Sequence, residues 1–213
     1  MAQHAAPLER SPLDFAQRRY DLSPATRLKR RDYSSPGLYF VTICSDFKRC
    51  IFGDVEDEKV QLSTLGRIVQ ESWMAIPSHF ARVQLHAWMV MPNHVHGILE
   101  IVQALVVAQH AAPLQEPWTA AAGPVPGSLS AIVRSFKAEA TRRARAELNW
   151  DGEIWQHNYF DRIIRDGQEF SEATRYIAEN PMRWQWQKKF PAGNVAETKA
   201  WRSMLRHYKG IGE

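Results

Sequence analysis

The pattern of apolar and polar positions predicts β-strands in four segments of the chain, the first as a buried apolar run and the last by alternation. Residues 38–44 are rich in aromatic and β-branched side chains, and residues 83–91, 94–102 and 153–165 have a similar pattern. Short apolar runs on either side of an acidic stretch at 56–58 predict a hairpin. The pattern therefore predicts a sheet of four core strands with one added hairpin.

Three other segments have the apolar spacing of amphipathic helices. The first begins after the candidate N-cap Ser63 and ends at Pro77, and the second begins at Ser128 or Ser130. The third ends at Asn180-Pro181, because the residue before a proline disfavours helical backbone. The order of elements is that of two joined β-α-β units. It predicts the α+β class, with a ferredoxin-like antiparallel sheet, helices on one face and a further C-terminal helix.

The length of 213 residues fits one sizeable domain with flanking arms. Residues 1–33 are polar, basic and without periodicity, and we interpret them as an N-terminal arm. Residues 34–190 form the predicted domain, interrupted by a loop or insertion at 103–127. Residues 191–213 form a C-terminal tail.

Composition excludes several classes of protein. No apolar run is long enough to span a membrane, and the first residues lack a basic stretch followed by an apolar one, so we expect neither a membrane protein nor a secreted one. Cys44 and Cys50 do not make a disulfide scaffold in a chain of this length, and their spacing is not that of a zinc site. We therefore expect a protein of the cytoplasm.

Basic side chains outnumber acidic ones by 27 to 23, which gives a net charge of +4, and they are clustered. The clusters lie at 18–31, 134–145 and 183–189, the last interleaved with two tryptophans. Basic side chains can bind phosphates, and neighbouring aromatic rings can stack on bases, so these clusters predict binding of single-stranded nucleic acid. Each cluster alone is equally consistent with a solvated helix face. The candidates for binding a single strand of nucleic acid are Arg27, Arg30, Arg134, Lys137, Trp184 and Trp186.

His94 and His96 are the sharpest chemical signal in the chain. Residues two apart in a strand share a face, so both imidazoles point the same way and Val95 points the other way. A divalent cation would hold two such imidazoles close together. The alternative is a pair of histidines that bond ordinary neighbours. The turn Met91-Pro92-Asn93 directly before the pair favours the metal.

A third metal ligand has to come from another element. Tyr176 and Asn180 lie four apart in the last predicted helix, and hence on one face of it. An amide oxygen is a suitable ligand for a hard cation, and a phenol one turn away is a candidate nucleophile. The alternatives are a core tyrosine and a helix end. Tyr159 is a rival nucleophile, and the other polar candidates are Asp161, Asp166 and Glu179.

Two motifs carry a resemblance to a known family. Met-Pro-Asn-His-Val-His-Gly at 91–97 resembles the His-hydrophobic-His signature of the HUH single-strand transposases. Tyr-Ile-Ala-Glu-Asn-Pro at 176–181 resembles the tyrosine helix of their REP-associated branch, the REP-associated tyrosine transposases. The likeness runs from Arg27 to Trp184 and leaves out the loop and the tail. Further similar segments lie at 32–42, 128–137 and 155–165.

The resemblance implies a ferredoxin-like core, a divalent ion (Mg²⁺ or Mn²⁺) on His94, His96 and Asn180, and Tyr176 as the nucleophile. Related branches use glutamine at the asparagine position. It also implies that the partner is single-stranded DNA with hairpin structure (palindromic repeats), cleaved and rejoined through a covalent 5′-phosphotyrosine intermediate. The protein it leads us to expect is bacterial and nucleoid-associated, a monomer or a homodimer.

Two other functions stay open from the sequence. One is a catalytically inactive regulator that binds a DNA or RNA hairpin, which would need the basic and aromatic surface but no nucleophile. The other is a small metal-dependent nuclease that uses water and forms no covalent adduct.

Overall fold

The structure is a computed structural model that describes residues 34–103 and 124–189. The arm at 1–33, most of the loop at 103–127 and the tail lie outside the described residues, and so do Arg27 and Arg30. The described strands are β1 (Gly37–Cys44), β2 (Gly53–Glu56), β3 (Lys59–Leu62), β4 (Val83–Met91), β5 (His94–Ile101) and β6 (Phe160–Ile164). The described helices are α1 (Thr64–Met74), α2 (Ile76–His79), α3 (Leu129–Leu148), α4 (Gly167–Ala178) and α5 (Asn180–Lys189). None of these helices is long and apolar enough to cross a membrane.

Four strands form one antiparallel sheet in the order β4–β5–β1–β6, and β2 and β3 form the predicted hairpin. Among the core strands taken along the chain, this order is second, third, first, fourth, which is the ferredoxin-like arrangement. Helices α1 and α3 cover the first face of the sheet, and α4 packs on the second face. The predicted fold class is confirmed.

The first face carries the larger apolar core. Alternation in β1 turns Tyr39, Val41 and Ile43 to this side. There Trp73 of α1 meets Phe136 of α3 edge to face, with 5.1 Å between ring centroids. The buried residues of this face belong to both crossover helices and three of the four core strands, so it ties distant parts of the chain together.

Helix starts follow their caps, and one helix end differs from its prediction. Ser63 caps α1, and Ser128 rather than Ser130 caps α3, each accepting a bond from a backbone N–H. Helix α1 already ends at Met74, and Pro77 lies in the first turn of α2. A proline is compatible with that position because the first-turn N–H has no partner within the helix.

The strand predicted for 153–165 is shorter than expected, since β6 covers only Phe160–Ile164. Before it, Trp155 makes a single bridge to Ser45. The carbonyl oxygens of residues 156–158 accept bonds from Lys137 Nζ, at distances between 2.6 and 3.3 Å. A side chain of α3 thus satisfies acceptors that a neighbouring strand would otherwise take, and the alternating pattern there does not produce a strand.

The predicted end of the last helix is also corrected. Helix α4 ends at Ala178, and α5 begins at once with Asn180. Pro181 lies in the first turn of α5, where its missing N–H removes no helical bond. The proline that was expected to end the helix therefore marks the start of a second one.

Candidate active site

Two buried histidines form the centre of the candidate site. Strand alternation in β5 turns His94 and His96 to the second face of the sheet and Val95 to the first. His96 is fully buried, and His94 is 8% exposed. Their Nε2 atoms lie 2.9 Å apart, with 4.3 Å between ring centroids. The inner nitrogens of the two rings therefore converge.

The outer nitrogens of the two rings are held by neighbours that were not among the predicted site residues. His94 Nδ1 donates to Asn93 Oδ1 at 2.6 Å, so His94 Nε2 carries a lone pair. His96 Nδ1 lies 2.9 Å from Thr42 Oγ1, a hydroxyl that can accept as well as donate. Such partners orient metal-ligating histidines and set their tautomers. Thr42 can be found once β1 is paired with β5, because it then stands opposite His96.

The spacing of the pair fits a metal ion. The 2.9 Å between the Nε2 atoms is the length of a hydrogen bond between the rings. It is also close to the distance of about 3.0 Å between two adjacent ligands of an octahedral ion, each about 2.1 Å from it. Among residues 34–103 and 124–189, no three His, Cys, Asp or Glu side chains come together in a metal-binding group. A third protein ligand from this part of the chain would therefore be of another type.

Tyr176 approaches the histidines from α4. The apolar stripe of this helix buries Ala173, Tyr176 and Ile177 against the sheet, and Tyr176 is 4% exposed. The Tyr176 ring centroid lies 5.2 Å from that of His96, with 69° between the ring planes, and 6.0 Å from that of Phe40. The structure thus brings the predicted nucleophile beside a predicted ligand.

Asn180 and Trp184 of α5 follow Tyr176 at intervals of four residues and so lie on the same helical side. The residue that links the helices keeps near-helical backbone, so Asn180 stays one turn beyond Tyr176 and donates to its carbonyl oxygen at 3.3 Å. One turn further, the Trp184 ring lies 6.0 Å from that of His94 between centroids. Asn180 is buried, and along the chain it lies midway between Tyr176 and Trp184, whose rings meet the histidine pair. Its amide oxygen is therefore the candidate third donor.

Arg183 is a buried cation that was counted only as part of a basic cluster. Its guanidinium carbon lies 5.2 Å from the Tyr176 ring centroid, and its Nη2 donates to Glu179 at 2.7 Å. Only 7% of Arg183 is exposed, so the ion pair is largely shielded from solvent. The available sequence signal was its position seven residues after Tyr176, which returns to the same helical side.

Helix α5 is fastened to the hairpin by polar contacts. Lys188 Nζ lies 3.1 Å from an Asp54 carboxylate oxygen, and the Glu58 N–H donates to Gln185 Oε1 at 2.8 Å. The Val55 N–H and then the Lys188 ammonium hold the pKa of the Asp54 carboxyl below its usual value. These contacts fix the helix that carries the candidate third ligand.

The residues predicted to bind nucleic acid are distributed over both faces of the sheet. Arg134 is exposed and Lys137 is half-buried on α3, which covers the first face, whereas the two half-buried tryptophans lie on α5 near the second. The three carbonyl contacts of Lys137 match the three donors of its ammonium group. A shallow groove of about 700 Å³ runs along α3, with Arg142 and Arg145 among its lining residues.

The rival candidates lie elsewhere or are engaged. Tyr159 packs against the core of the first face, and its hydroxyl bonds Ser130 Oγ at 3.1 Å. Asp166 accepts from the Glu169 N–H as the N-cap of α4. Asp161 is half-buried in β6, and Glu179 pairs with the buried arginine. Of the two tyrosines weighed as nucleophiles, Tyr176 is the one beside the histidines.

A solved structure shares this fold. The REP-associated tyrosine transposase bound to a REP hairpin aligns with a TM-score of 0.51 at 18% sequence identity, over 80% of this chain and 84% of that chain. A crystal structure of a Deinococcus radiodurans R1 protein aligns with a TM-score of 0.39 at 17% identity, over 72% of this chain and 96% of its own. That second score is too low to establish a shared fold.

Similarity in sequence gives a nearer relative. No family model matches the chain. An uncharacterized protein of Haemophilus influenzae Rd is 39% identical over 162 residues, which make up 75% of this chain and 88% of that protein. Identity at this level over most of both chains shows common descent. The chain therefore belongs to the same family as this Haemophilus influenzae protein.

Proposed function

We propose that this protein cleaves single-stranded DNA at hairpins and rejoins it, with Tyr176 linked covalently to the 5′ phosphate in between. The observation that carries the proposal is the buried pair of histidines with Nε2 atoms 2.9 Å apart, packed against the Tyr176 ring. Asn93 and Thr42 bond the outer nitrogens, and the two inner nitrogens face each other as candidate ligands of one ion. The hairpin bound to the solved structure that shares the fold supports the substrate class.

His94, His96 and the amide oxygen of Asn180 are the proposed ligands of Mg²⁺ or Mn²⁺. An amide oxygen suits both ions, and two imidazole nitrogens favour Mn²⁺, because Mg²⁺ takes mainly oxygen ligands. When bound, the ion supplies positive charge to the phosphate oxygens and makes phosphorus more electrophilic. Thr42 and Asn93 hold the two imidazoles in the orientation that this role needs.

The proposed reaction exchanges one phosphate ester for another. The phenol oxygen of Tyr176 loses its proton and bonds to phosphorus, and the bond from phosphorus to the 3′ oxygen breaks. That oxygen takes up a proton and leaves as a free 3′-hydroxyl, while the 5′ phosphate stays on the tyrosine. Attack by another 3′-hydroxyl rejoins the strand, and no ATP is required because the ester bond is conserved.

The packing around Tyr176 presents the phenol in one orientation. His96 and Phe40 meet its ring at steep angles, and Arg183 lies within cation–π distance of the ring. A nucleophile that is already oriented loses little further entropy on reaching the transition state. Arg134 and Trp184 are the proposed contacts to phosphate and base, together with Trp186 and the basic arm that holds Arg27 and Arg30. For Lys137, the carbonyl contacts favour a role in holding the 156–158 segment.

The test is a search for the covalent adduct. The protein is incubated with a labelled single-stranded hairpin oligonucleotide and Mn²⁺, denatured, and separated by electrophoresis. We expect a labelled band that survives denaturation, and its loss in Tyr176→Phe, which keeps the ring and removes only the hydroxyl. Tyr159→Phe is the matched control and should still form the band. An adduct on Tyr176→Phe that is absent from Tyr159→Phe would assign the nucleophile to the other tyrosine.

The burial of Tyr176 favours a second candidate function, a hairpin-binding regulator that does not cut. A phenol that is 4% exposed has little access to DNA in this conformation. A regulator would bind the hairpin with no adduct and no cleavage at any metal concentration, and Tyr176→Phe would bind as the unaltered protein does. A nuclease that uses water would give cleaved strands without the adduct.

A further inference from the structure

The turn after β1 exposes a phenylalanine that the fold does not use. Phe47 is 86% exposed, more than any other large apolar side chain within residues 34–103 and 124–189. An aromatic side chain left in water forgoes roughly 1.5–3 kcal/mol of burial free energy. Lys48 and Arg49 follow it and are also exposed.

The backbone of this turn is strained. Phe47 has φ of 49° and Lys48 has φ of 53°, so two consecutive residues with side chains occupy the left-handed region. For a bulky residue this conformation is a genuine outlier. Strain of this kind persists only where surrounding contacts impose it, and it is concentrated at functional sites.

Hydrogen bonds from both sides hold the strained turn in place. The Lys48 N–H donates to the Ser45 carbonyl at 3.0 Å, and Ser45 Oγ donates to the Arg49 carbonyl at 2.7 Å. Arg49 Nη2 donates to the Glu153 carbonyl at 2.6 Å and lies 3.2 Å from the Asp46 carboxylate. The exposed ring is thus carried by a fixed turn.

One side chain joins the turn to the histidine pair. Asn93 Nδ2 donates to the Lys48 carbonyl at 3.1 Å, and Asn93 Oδ1 accepts from His94 Nδ1 at 2.6 Å. The backbone of Lys48, the residue after Phe47, is therefore two hydrogen bonds from a proposed metal ligand.

We propose that Phe47 stacks with an unpaired nucleobase of the strand that enters the His94–His96 site, while Lys48 contacts a neighbouring phosphate. The inference deepens the proposed function and rests on it for the class of substrate. An exposed ring beside cations is the arrangement by which proteins hold single strands without reading their sequence. A purely apolar protein partner would leave the flanking cations unexplained.

The experiment compares two oligonucleotides and three proteins. One oligonucleotide is a DNA hairpin with a single-stranded extension that carries the fluorescent base 2-aminopurine at each extension position in turn. The other is the same hairpin without the extension. The proteins are the unaltered chain, Phe47→Leu, which removes the ring and keeps an apolar side chain, and Phe47→Trp, which keeps a stacking surface.

We expect Phe47→Leu to weaken binding of the extended hairpin by about tenfold or more and to abolish 2-aminopurine quenching at one extension position. Phe47→Trp should retain both properties, and all three proteins should bind the hairpin without the extension equally. Their melting temperatures should agree, because the substituted side chain is exposed.

Three results would overturn the inference, and they differ in what they mean for the proposed function. If Phe47→Leu binds the extended hairpin as the unaltered protein does, the stacking role is wrong and the proposed function is untouched. If Phe47→Leu differs from the unaltered protein only in its oligomeric state, Phe47 contacts a second copy of the chain and the stacking role is wrong. If the unaltered protein binds neither oligonucleotide, both proposals fall. A weakened Phe47→Leu with no covalent adduct in any protein supports the stacking role and contradicts the proposed catalysis.

Discussion

The two faces of the central sheet are built from the same strands but bury different kinds of side chain. Within residues 34–103 and 124–189, the first face gathers twenty-one buried apolar residues with α1 and α3, and the second gathers six with α4. Most of the apolar burial that stabilises the chain is therefore on the first face. In the same part of the chain, the polar residues buried on the second face include Thr42, His94, His96, Asn180 and Arg183.

Strand alternation is what allows this division within a few residues. In β5 the histidines at 94 and 96 face α4, while Val95 and Gly97 face the crossover helices. Neighbouring positions of one strand therefore serve stability and chemistry separately. The comparison predicts that a substitution on the second face of β5 lowers mainly the cleavage rate. A substitution at the adjacent residue on the first face should lower mainly the free energy of unfolding.

The largest effect is expected from His96→Ala. If the proposed ion contributes about 4 kcal/mol to the transition state, its loss lowers the cleavage rate by on the order of a thousandfold. Hairpin binding should change little, because phosphate contacts supply most of the affinity. Cleavage is measured by electrophoresis and binding by titration.

The matched control for His96→Ala is Val95→Ala, one residue away on the other face. It should lower the free energy of unfolding by about 2 kcal/mol, from lost burial and the cavity left behind, with cleavage per folded molecule nearly unchanged. If His96→Ala cleaves DNA at the unaltered rate, the second face does not carry the catalytic residues as proposed.

A smaller effect is expected where the first face is most tightly packed. A Cβ at Gly97 would overlap the six-membered part of the Trp73 indole, which is fully buried. Gly97→Ala should therefore lower the free energy of unfolding by about 1–3 kcal/mol through overpacking, measured by urea denaturation.

Trp73→Phe tests this cause, because it removes the overlapping part of the indole. In the Gly97→Ala background it should destabilise less than it does alone, which gives a coupling energy between the two sites. Strictly additive effects of the two substitutions would show that the clash is relieved elsewhere, and that the first face is less rigid than its packing indicates.

The first face is also the part that the sequence predicts best. In β1 the run of aromatic and β-branched residues from Tyr39 to Ile43 predicts a buried strand without knowledge of the neighbours. Local periodicity and caps determine α1 and α3 as well. These features depend on residues close together in the chain, so a pattern within one segment is enough to predict them.

The parts that the sequence does not predict are those where the local pattern is compatible with two structures. Residues 153–159 alternate like a strand, but Lys137 bonds the carbonyl oxygens of residues 156–158. Arg183 reads as surface charge until Glu179 and Tyr176 are seen around it. Asn180-Pro181 reads as a helix end, although the same residues fit the first turn of α5. For the 156–158 segment a contact with a distant helix decides between the two structures, and for the other two the continuation of the chain into α5 does.

A third prediction separates two basic residues of α3 that composition treats alike. Arg134 is exposed, and Arg134→Gln should lower the salt dependence of single-strand binding by roughly 0.7 in the slope, with stability unchanged. Lys137→Met should leave that slope unchanged and lower the free energy of unfolding by about 1 kcal/mol, because three carbonyl contacts are lost. Titrations between about 50 and 200 mM salt measure the slopes. If Lys137→Met lowers the salt dependence of binding, Lys137 contacts a phosphate of the DNA.

The smallest effect concerns the contact that fastens α5 to the hairpin on the side of the second face. The Val55 N–H and the Lys188 ammonium lower the pKa of the Asp54 carboxyl, so folding favours its charged form. This stabilisation is fully present above the unfolded-state pKa of about 4 and is lost as the pH falls through the lower folded-state value.

Because Lys188 and Asp54 are each more than half exposed, the pair should contribute less than about 1 kcal/mol. Asp54→Asn should therefore lower the free energy of unfolding slightly at pH 7, and the difference from the unaltered protein should shrink as the pH falls below 4. Urea denaturation at a series of pH values measures it, with the exposed neighbour Glu56→Gln as the control. A difference that stays constant with pH would mean that the carboxylate acts through its hydrogen-bond geometry, which an amide reproduces poorly, and that charge has little part in holding α5 beside the histidine pair.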